Sequence, residues 1–211
     1  MKKLFLLIAL SFLSISAQAA YQVEIIIFEH LFHDAEGEVS QIGLRIPDLS
    51  KTVQLSTDAG SGGNTFRLLP SSMYKLSGVY SELRSSREYR PILHLAWQQP
   101  QLTPSRSKYV HVRKTDGAPQ QEGFGDAYVK LDGVVRIRSS QFLHADVDLF
   151  YFIDAVSESF IQANTGSEQA NQIAATFAEL KETRRMKLND LHYFDHPVFG
   201  MLMRVSRLSA E

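Results

Sequence analysis

The densest run of chemically capable side chains is ETRRMKLNDLHYFDHPVFG, Glu182 to Gly200. Arg184 and Arg185 carry planar forks of donors that match carboxylates, and Tyr193 and Phe194 offer ring faces for a sugar or anchors for a protein partner. Asp195 and His196 can exchange hydrogen bonds with hydroxyl groups. The same residues suit a structural role equally well, with Phe194, Val198 and Phe199 in a core and the arginines paired to nearby acids. Two histidine pairs raise metal binding, His30 with His33 and His192 with His196. Ligation by such pairs needs one helical face, whereas both lie at expected strand ends, where ~3.3 Å per residue would part an i,i+4 pair by more than about 12 Å. Hydrogen-bonded strand-to-turn corners are the favoured reading, and neither metal nor cofactor is expected.

Two segments carry a nucleophile pattern. Ser72-Met-Tyr-Lys75 and Ser105-Arg-Ser-Lys108 both match Ser-x-x-Lys, in which the lysine activates the serine. With 22 serines and nine lysines in the chain, about one match arises by chance, and the Ser-x-Asn and Lys-Thr-Gly elements of that site are missing. There is no Gly-x-Ser-x-Gly elbow, no His-Glu-x-x-His helix and no phosphate-cradling glycine loop, because the glycines at 60, 62 and 63 precede no lysine. No carboxylate pair stands out for glycoside cleavage. The expectation is a protein that is not an enzyme.

The N-terminus bears on where the chain works. Lys2 and Lys3, an apolar run from Leu4 to Ile15 and the small-x-small triplet Ala17-Gln18-Ala19 have the layout of a secretory signal peptide, 1–19, with the mature chain starting at Ala20. The apolar run falls short of the ~20 residues of a membrane span, so no span is expected after cleavage. Without cysteine there is no lipid attachment, disulfide or thiolate chemistry. Cleavage leaves 20 of the 22 basic residues and all 23 acidic ones, a net of −3, which argues against nucleic acid as a partner. A periplasmic location follows from these readings.

Several elements must hold the candidate residues in place. Tyr21 to Phe28, YQVEIIIF, reads as a buried first strand inside a sheet. Ser56 to Asn64 is small and polar and reads as a flexible loop tip. The one clear helix is expected over about 72–88, with Pro70 and Ser71 or Ser72 as start signals and Met73, Leu76, Val79, Tyr80 and Leu83 on the face that docks on the sheet. Pro91 precedes a strand from Ile92 to Trp97, and another strand is expected over Lys108 to Arg113. Leu143, Ala145, Val147, Leu149, Tyr151 and Ile153 alternate with His144, Asp146 and Asp148. This strand should pair, through a turn at Ser139-Ser140, with Val129 to Arg138, leaving Arg136 and Arg138 beside those acids on a solvated face. Gly133 is read as a bulge in that partner strand, with a turn at Asp132-Gly133 as the alternative. Phe177 to Leu188 fits strand or helix equally. The fold class is α+β, a mainly antiparallel sheet with one amphipathic helix and long loops, forming one domain over 20–211; a subdivision near the glycine-rich loop at 115–126 is the alternative.

Five blocks occur in order: YQVEIIIF (Tyr21 to Phe28), LHLAWQQP (Leu93 to Pro100), LDG (Leu131 to Gly133), FLHADVDL (Phe142 to Leu149) and RRMKLNDLHYFDHPVFG (Arg184 to Gly200). In this arrangement the chain resembles the CsiV family of periplasmic peptidoglycan-binding, cell-shape-integrity proteins. The resemblance implies a non-enzymatic accessory factor of wall synthesis that associates with peptidoglycan and with a lipoprotein activating a penicillin-binding protein. It carries over no binding residues. The candidate ligand contacts are therefore those chosen on chemical grounds: Arg184, Arg185, His192, Tyr193, Asp195 and His196, with Trp97 as a further aromatic. A wall hydrolase using His192, Asp195 and His196, and a protein adaptor without affinity for wall material, stay open as alternatives.

Overall fold

The computed structural model describes residues 20–32, 41–43, 47–55, 65–117, 128–157 and 175–208. The leader at 1–19, His33, the loop tip at 56–64 and residues 118–126 of the 115–126 loop lie outside the described residues. Along the chain the strands are β1 (Ala20–His30), β2 (Gln41–Ile42), β3 (Thr52–Val53), β4 (Arg67–Leu68), β5 (Tyr89–Pro100), β6 (Tyr109–Asp116), β7 (Tyr128–Ser139), β8 (Leu143–Ser157), β9 (Thr176–Met186), β10 (Leu191–Asp195) and β11 (Phe199–Leu208). The helix α1 spans Ser77–Ser85, after a single 3-10 turn at Ser71–Met73. Two sheets form, of order β10-β11-β1-β5-β4 and β2-β9-β8-β7-β6-β3. Every pairing is antiparallel except that of β3 with β6. This is the mainly antiparallel α+β class that the sequence predicts.

One apolar core joins the two sheets. Val23, Ile25 and Ile27 of β1 share it with Leu131, Val135 and Ile137 of β7, Val147 and Leu149 of β8, and Met201, Met203 and Val205 of β11. The alternate residues of β1 face the other way, and there Ile26 and Phe28 pack with Leu76, Val79, Tyr80 and Leu83 beneath α1. A central strand covered on both faces is buried on both, so Ile25 to Phe28 is apolar throughout, and the polar side chains Gln22 and Glu24 on the helix side are buried as well.

The helix is shorter than the expected 72–88, and a buried acid accounts for its start. Glu24, 1% exposed, lies under the helix N-terminus and accepts hydrogen bonds from the backbone N–H groups of Lys75 (2.7 Å) and Leu76 (2.9 Å). Its carboxylate also meets His94 Nε2 at 2.8 Å. Helix N-termini leave N–H donors without partners and carry partial positive charge, and α1 has no capping side chain of its own, so a carboxylate from the sheet fills that role. Met73 therefore falls outside the helix and is 41% exposed.

Other expectations resolve in detail. Pro91 lies inside β5 rather than before it, at a bulge where Phe28 pairs with Pro91 and Ile27 with Leu93, a place where a missing donor costs little. β7 is one strand, but its irregularity against β8 falls between Val129 and Leu131 and not at Gly133. Gly133 is needed for a different reason: a Cβ there would overlap the Asp148 carbonyl oxygen and lie 2.7 Å from Leu149 Cα. The ambiguous Phe177 to Leu188 segment is mostly β9, paired with β8 from Leu143↔Met186 to Phe152↔Phe177.

Candidate functional site

The tail residues come from β9, β10 and the corner before β11, and strand alternation sends them to different surfaces. Arg184 shares its face with Leu180 and Ala178, which point into the core between the sheets. There its guanidinium donates to Glu182 Oε1 (2.6 Å) and to the Tyr193 carbonyl oxygen, and lies 4.6 Å from the Phe194 ring centroid. It is a tie from the second sheet to the edge strand of the first. Arg185 points the opposite way, onto the outer face of the second sheet, with its guanidinium 3.3 Å from the Phe142 ring centroid. The two arginines do not form one fork.

β10 divides its residues in the same manner. Phe194 is fully buried, while Tyr193 and Asp195 lie on the outer face of the first sheet. The Tyr193 hydroxyl donates to Asp195 Oδ1 and lies 3.3 Å from His30 Nε2, and its ring stacks on Phe28 at 6.0 Å. Gly200 makes room for that ring, since a Cβ at 200 would stand 2.7 Å from Tyr193 Cε2 and 2.9 Å from Phe28 Cζ. Burial, and then the hydrogen bond to Asp195, push the Tyr193 phenol well above its ordinary pKa, so at neutral pH it is a donor.

Both histidines of the tail are engaged by backbone. His192 Nε2 accepts from the Lys187 N–H (3.1 Å), and His196 Nδ1 accepts from the Val198 N–H (3.2 Å). Burial holds His196 below its usual pKa against the opposing pull of Asp195. No hydrogen bond among the described residues joins His192, Asp195 and His196 to one another. Trp97 is 0% exposed, with its indole N–H donating to Gln99 Oε1 at 2.9 Å. As a ligand contact Trp97 is corrected: it belongs to the core, and no face of its ring is open to a sugar.

The face that the sequence leaves as solvated is more organised than the tail. On the outer side of the second sheet, Arg136 of β7 stands opposite Asp146 of β8, and Asp146 stands opposite Thr183 of β9. Asp146, 8% exposed, accepts from Arg136 Nε (2.8 Å), Arg138 Nε (2.9 Å) and Thr183 Oγ1 (2.9 Å). Burial alone would raise the Asp146 pKa; the bonds from Arg138, Thr183 and Arg136 outweigh it and hold the carboxyl below the usual range. Beside this hub opens a cavity of about 410 Å³, bordered by Asp48, Lys51, Tyr109, Arg136, Asp148 and Lys181. Asp48 and Lys51 reach it because β3 pairs with β6, Thr52 opposite Tyr109. The alternating acids of β8 signal this face in the sequence. The rim residues Asp48 and Lys51 carry no periodicity, and Lys181 lies in the Phe177 to Leu188 segment, whose pattern fits strand and helix equally.

These features define a class: a two-sheet β-sandwich with, among the described residues, one docked α-helix and a charged, cavity-bearing sheet face. A family model described as "Peptidoglycan-binding protein, CsiV" matches residues 1–208, and the chain belongs to that family. No curated protein and no solved structure matches it. Membership of a peptidoglycan-binding family places the chain in the cell envelope. No helix among the described residues is long and apolar enough to cross a membrane.

Proposed function

We propose that this protein is a periplasmic, non-enzymatic accessory factor that adheres to peptidoglycan and supports wall synthesis and cell shape. The observation that carries the reading is the family match across nearly the whole chain. Export belongs to the same reading and rests on the signal-like layout of residues 1–19 in the sequence. A protein that only adheres needs recognition groups without a poised nucleophile, and His192, Asp195 and His196 are hydrogen-bonded to Lys187, Tyr193 and Val198 rather than to one another. Partnership with an outer-membrane lipoprotein and the penicillin-binding protein it activates belongs to the same reading and rests on the family resemblance alone.

Co-sedimentation of the purified mature protein with isolated sacculi tests the reading. The protein should pellet with sacculi and stay in the supernatant without them, and the muropeptide profile should be unchanged after incubation. Recovery wholly in the supernatant would remove adhesion from the account, and new muropeptides would replace it with hydrolysis.

A further inference from the structure

Resting on that reading of peptidoglycan adhesion, we infer that the cavity on the outer face of the second sheet is the ligand site, and that it takes the peptide stem of the wall, not its glycan strand. The stem is a short peptide bearing several carboxylates and, where it contains a diamino acid, an ammonium group. The cavity offers both complements within one enclosure. Lys51, Arg136 and Lys181 supply positive charge and Asp48 and Asp148 supply negative charge, while the two further acids of the lining, Asp146 and Glu182, are taken up by arginines. At about 410 Å³ it lies within the range of small-ligand sites, roughly 300–1,000 Å³.

Two features indicate unused binding capacity. Arg136 spends Nε and one Nη on Asp146, leaving its other Nη without a partner among the described residues. Asp148 accepts from Lys181 Nζ through Oδ2 at 2.8 Å, while its Oδ1 has no hydrogen-bond partner among the described residues. Oδ1 is itself buried, and because a buried acceptor without a donor costs free energy, a turn of the Asp148 carboxyl that brings it to a donor in the cavity is favoured. Arg136 is held in position by Asp146 and by the Tyr109 ring, 4.3 Å away, so the guanidinium is ordered before a carboxylate arrives.

The same contact argues against sugar. Glycan recognition uses open aromatic faces for stacking, and Tyr109, the one aromatic residue bordering the cavity among the described residues, has the Arg136 guanidinium over one face of its ring. Of the other candidate aromatics, Trp97 is in the core and Tyr193 stacks on Phe28 on the far sheet. The charged lining therefore selects the charged half of the polymer.

The test uses the full mature protein, its Lys51→Gln/Lys181→Gln variant and three probes: intact sacculi, a free stem tripeptide ending in diaminopimelate, and glycan strands stripped of peptide by an amidase. Both lysines are exposed, so the variant should keep the wild-type circular dichroism spectrum. Wild type should bind the tripeptide, and the variant about tenfold more weakly or worse, as expected for loss of charge-assisted hydrogen bonds. Sacculus binding should fall in parallel, with little wild-type binding to bare glycan. Unchanged tripeptide affinity in the folded variant, or wild-type preference for bare glycan, would overturn the cavity assignment while leaving adhesion intact. Failure of wild type to pellet with sacculi would instead overturn adhesion itself.

Discussion

At the scale of single residues, Asp146 carries more of the structure than any exposed charge. It is buried, and two guanidinium groups and a hydroxyl depend on it. Removing one partner of a buried ionic network leaves the others desolvated and unpaired, which costs on the order of 3 kcal/mol. Asp146→Asn should lower stability by about that amount in urea unfolding, while Thr183→Ala should cost about 1 kcal/mol, the net worth of a single hydrogen bond. The pH dependence follows from the same contacts. Asp146 has a folded pKa below its ordinary 3.8, so its stabilisation is present above that value and is lost as pH falls through the folded pKa. His196 has a folded pKa below its ordinary 6.5, because burial, helped by the nearby His30, favours the neutral ring against the pull of Asp195. The unfolded chain then takes up a proton that the folded protein resists, and stability begins to fall as pH drops below about 6.5. His196→Gln should abolish the earlier decline and Asp146→Asn the later one; identical acid profiles in all three proteins would contradict both assignments.

At the scale of elements, β9 shows how alternation assigns different work to neighbours. Arg184 ties the sheets together through the Tyr193 carbonyl and the Phe194 ring, whereas Arg185 rests on Phe142 at the surface. Arg184→Ala should therefore lower stability by about 1–2 kcal/mol and Arg185→Ala by no more than about 0.5–1 kcal/mol, read from urea midpoints. The reverse order would show that Arg184 does not link the sheets. This division also marks the limit of what the sequence reveals. The hairpin of β7 and β8 is legible because its period-two pattern and Ser139-Ser140 turn are local, and the pairing of Arg136 with Asp146 follows from them. The docking face of the helix is legible for Leu76, Val79, Tyr80 and Leu83. Its start is not, because the group that caps it, Glu24, lies more than fifty residues earlier on another strand. Likewise the tail reads as one chemical cluster only until a strand is assigned to Glu182 to Met186. Once it is, Arg184 and Arg185 must point apart, and the cavity that gathers Lys51, Arg136 and Lys181 arises from pairings across β3, β6, β7, β8 and β9 that no local window contains.

At the scale of the whole molecule, the sharpest question is whether the chain unfolds as one body or divides near 115–126. The strands on either side of that loop are partners, with Val110↔Val135 through Asp116↔Tyr128 in register, so a cut there would split a sheet. The core likewise draws from strands before and after it. The sole tryptophan is a convenient reporter, because Trp97 lies in the first sheet at 0% exposure and belongs to that shared core. Its emission should be blue-shifted and poorly quenched by acrylamide in the native protein, and should move to the red on unfolding. Far-UV circular dichroism, by contrast, averages both sheets. If one core holds both, the two signals should trace a single transition with the same midpoint in urea. Fluorescence changing well before or after the dichroism would mean that the sheets separate before they unfold, and the domain would have to be redrawn as two. Trp97 also bears on ligand binding: seated between the sheets while the proposed stem-peptide site lies on the outer surface of the second, it should keep its emission maximum when that peptide is added. A shift on binding would bring the ligand, or a rearrangement it causes, into the core.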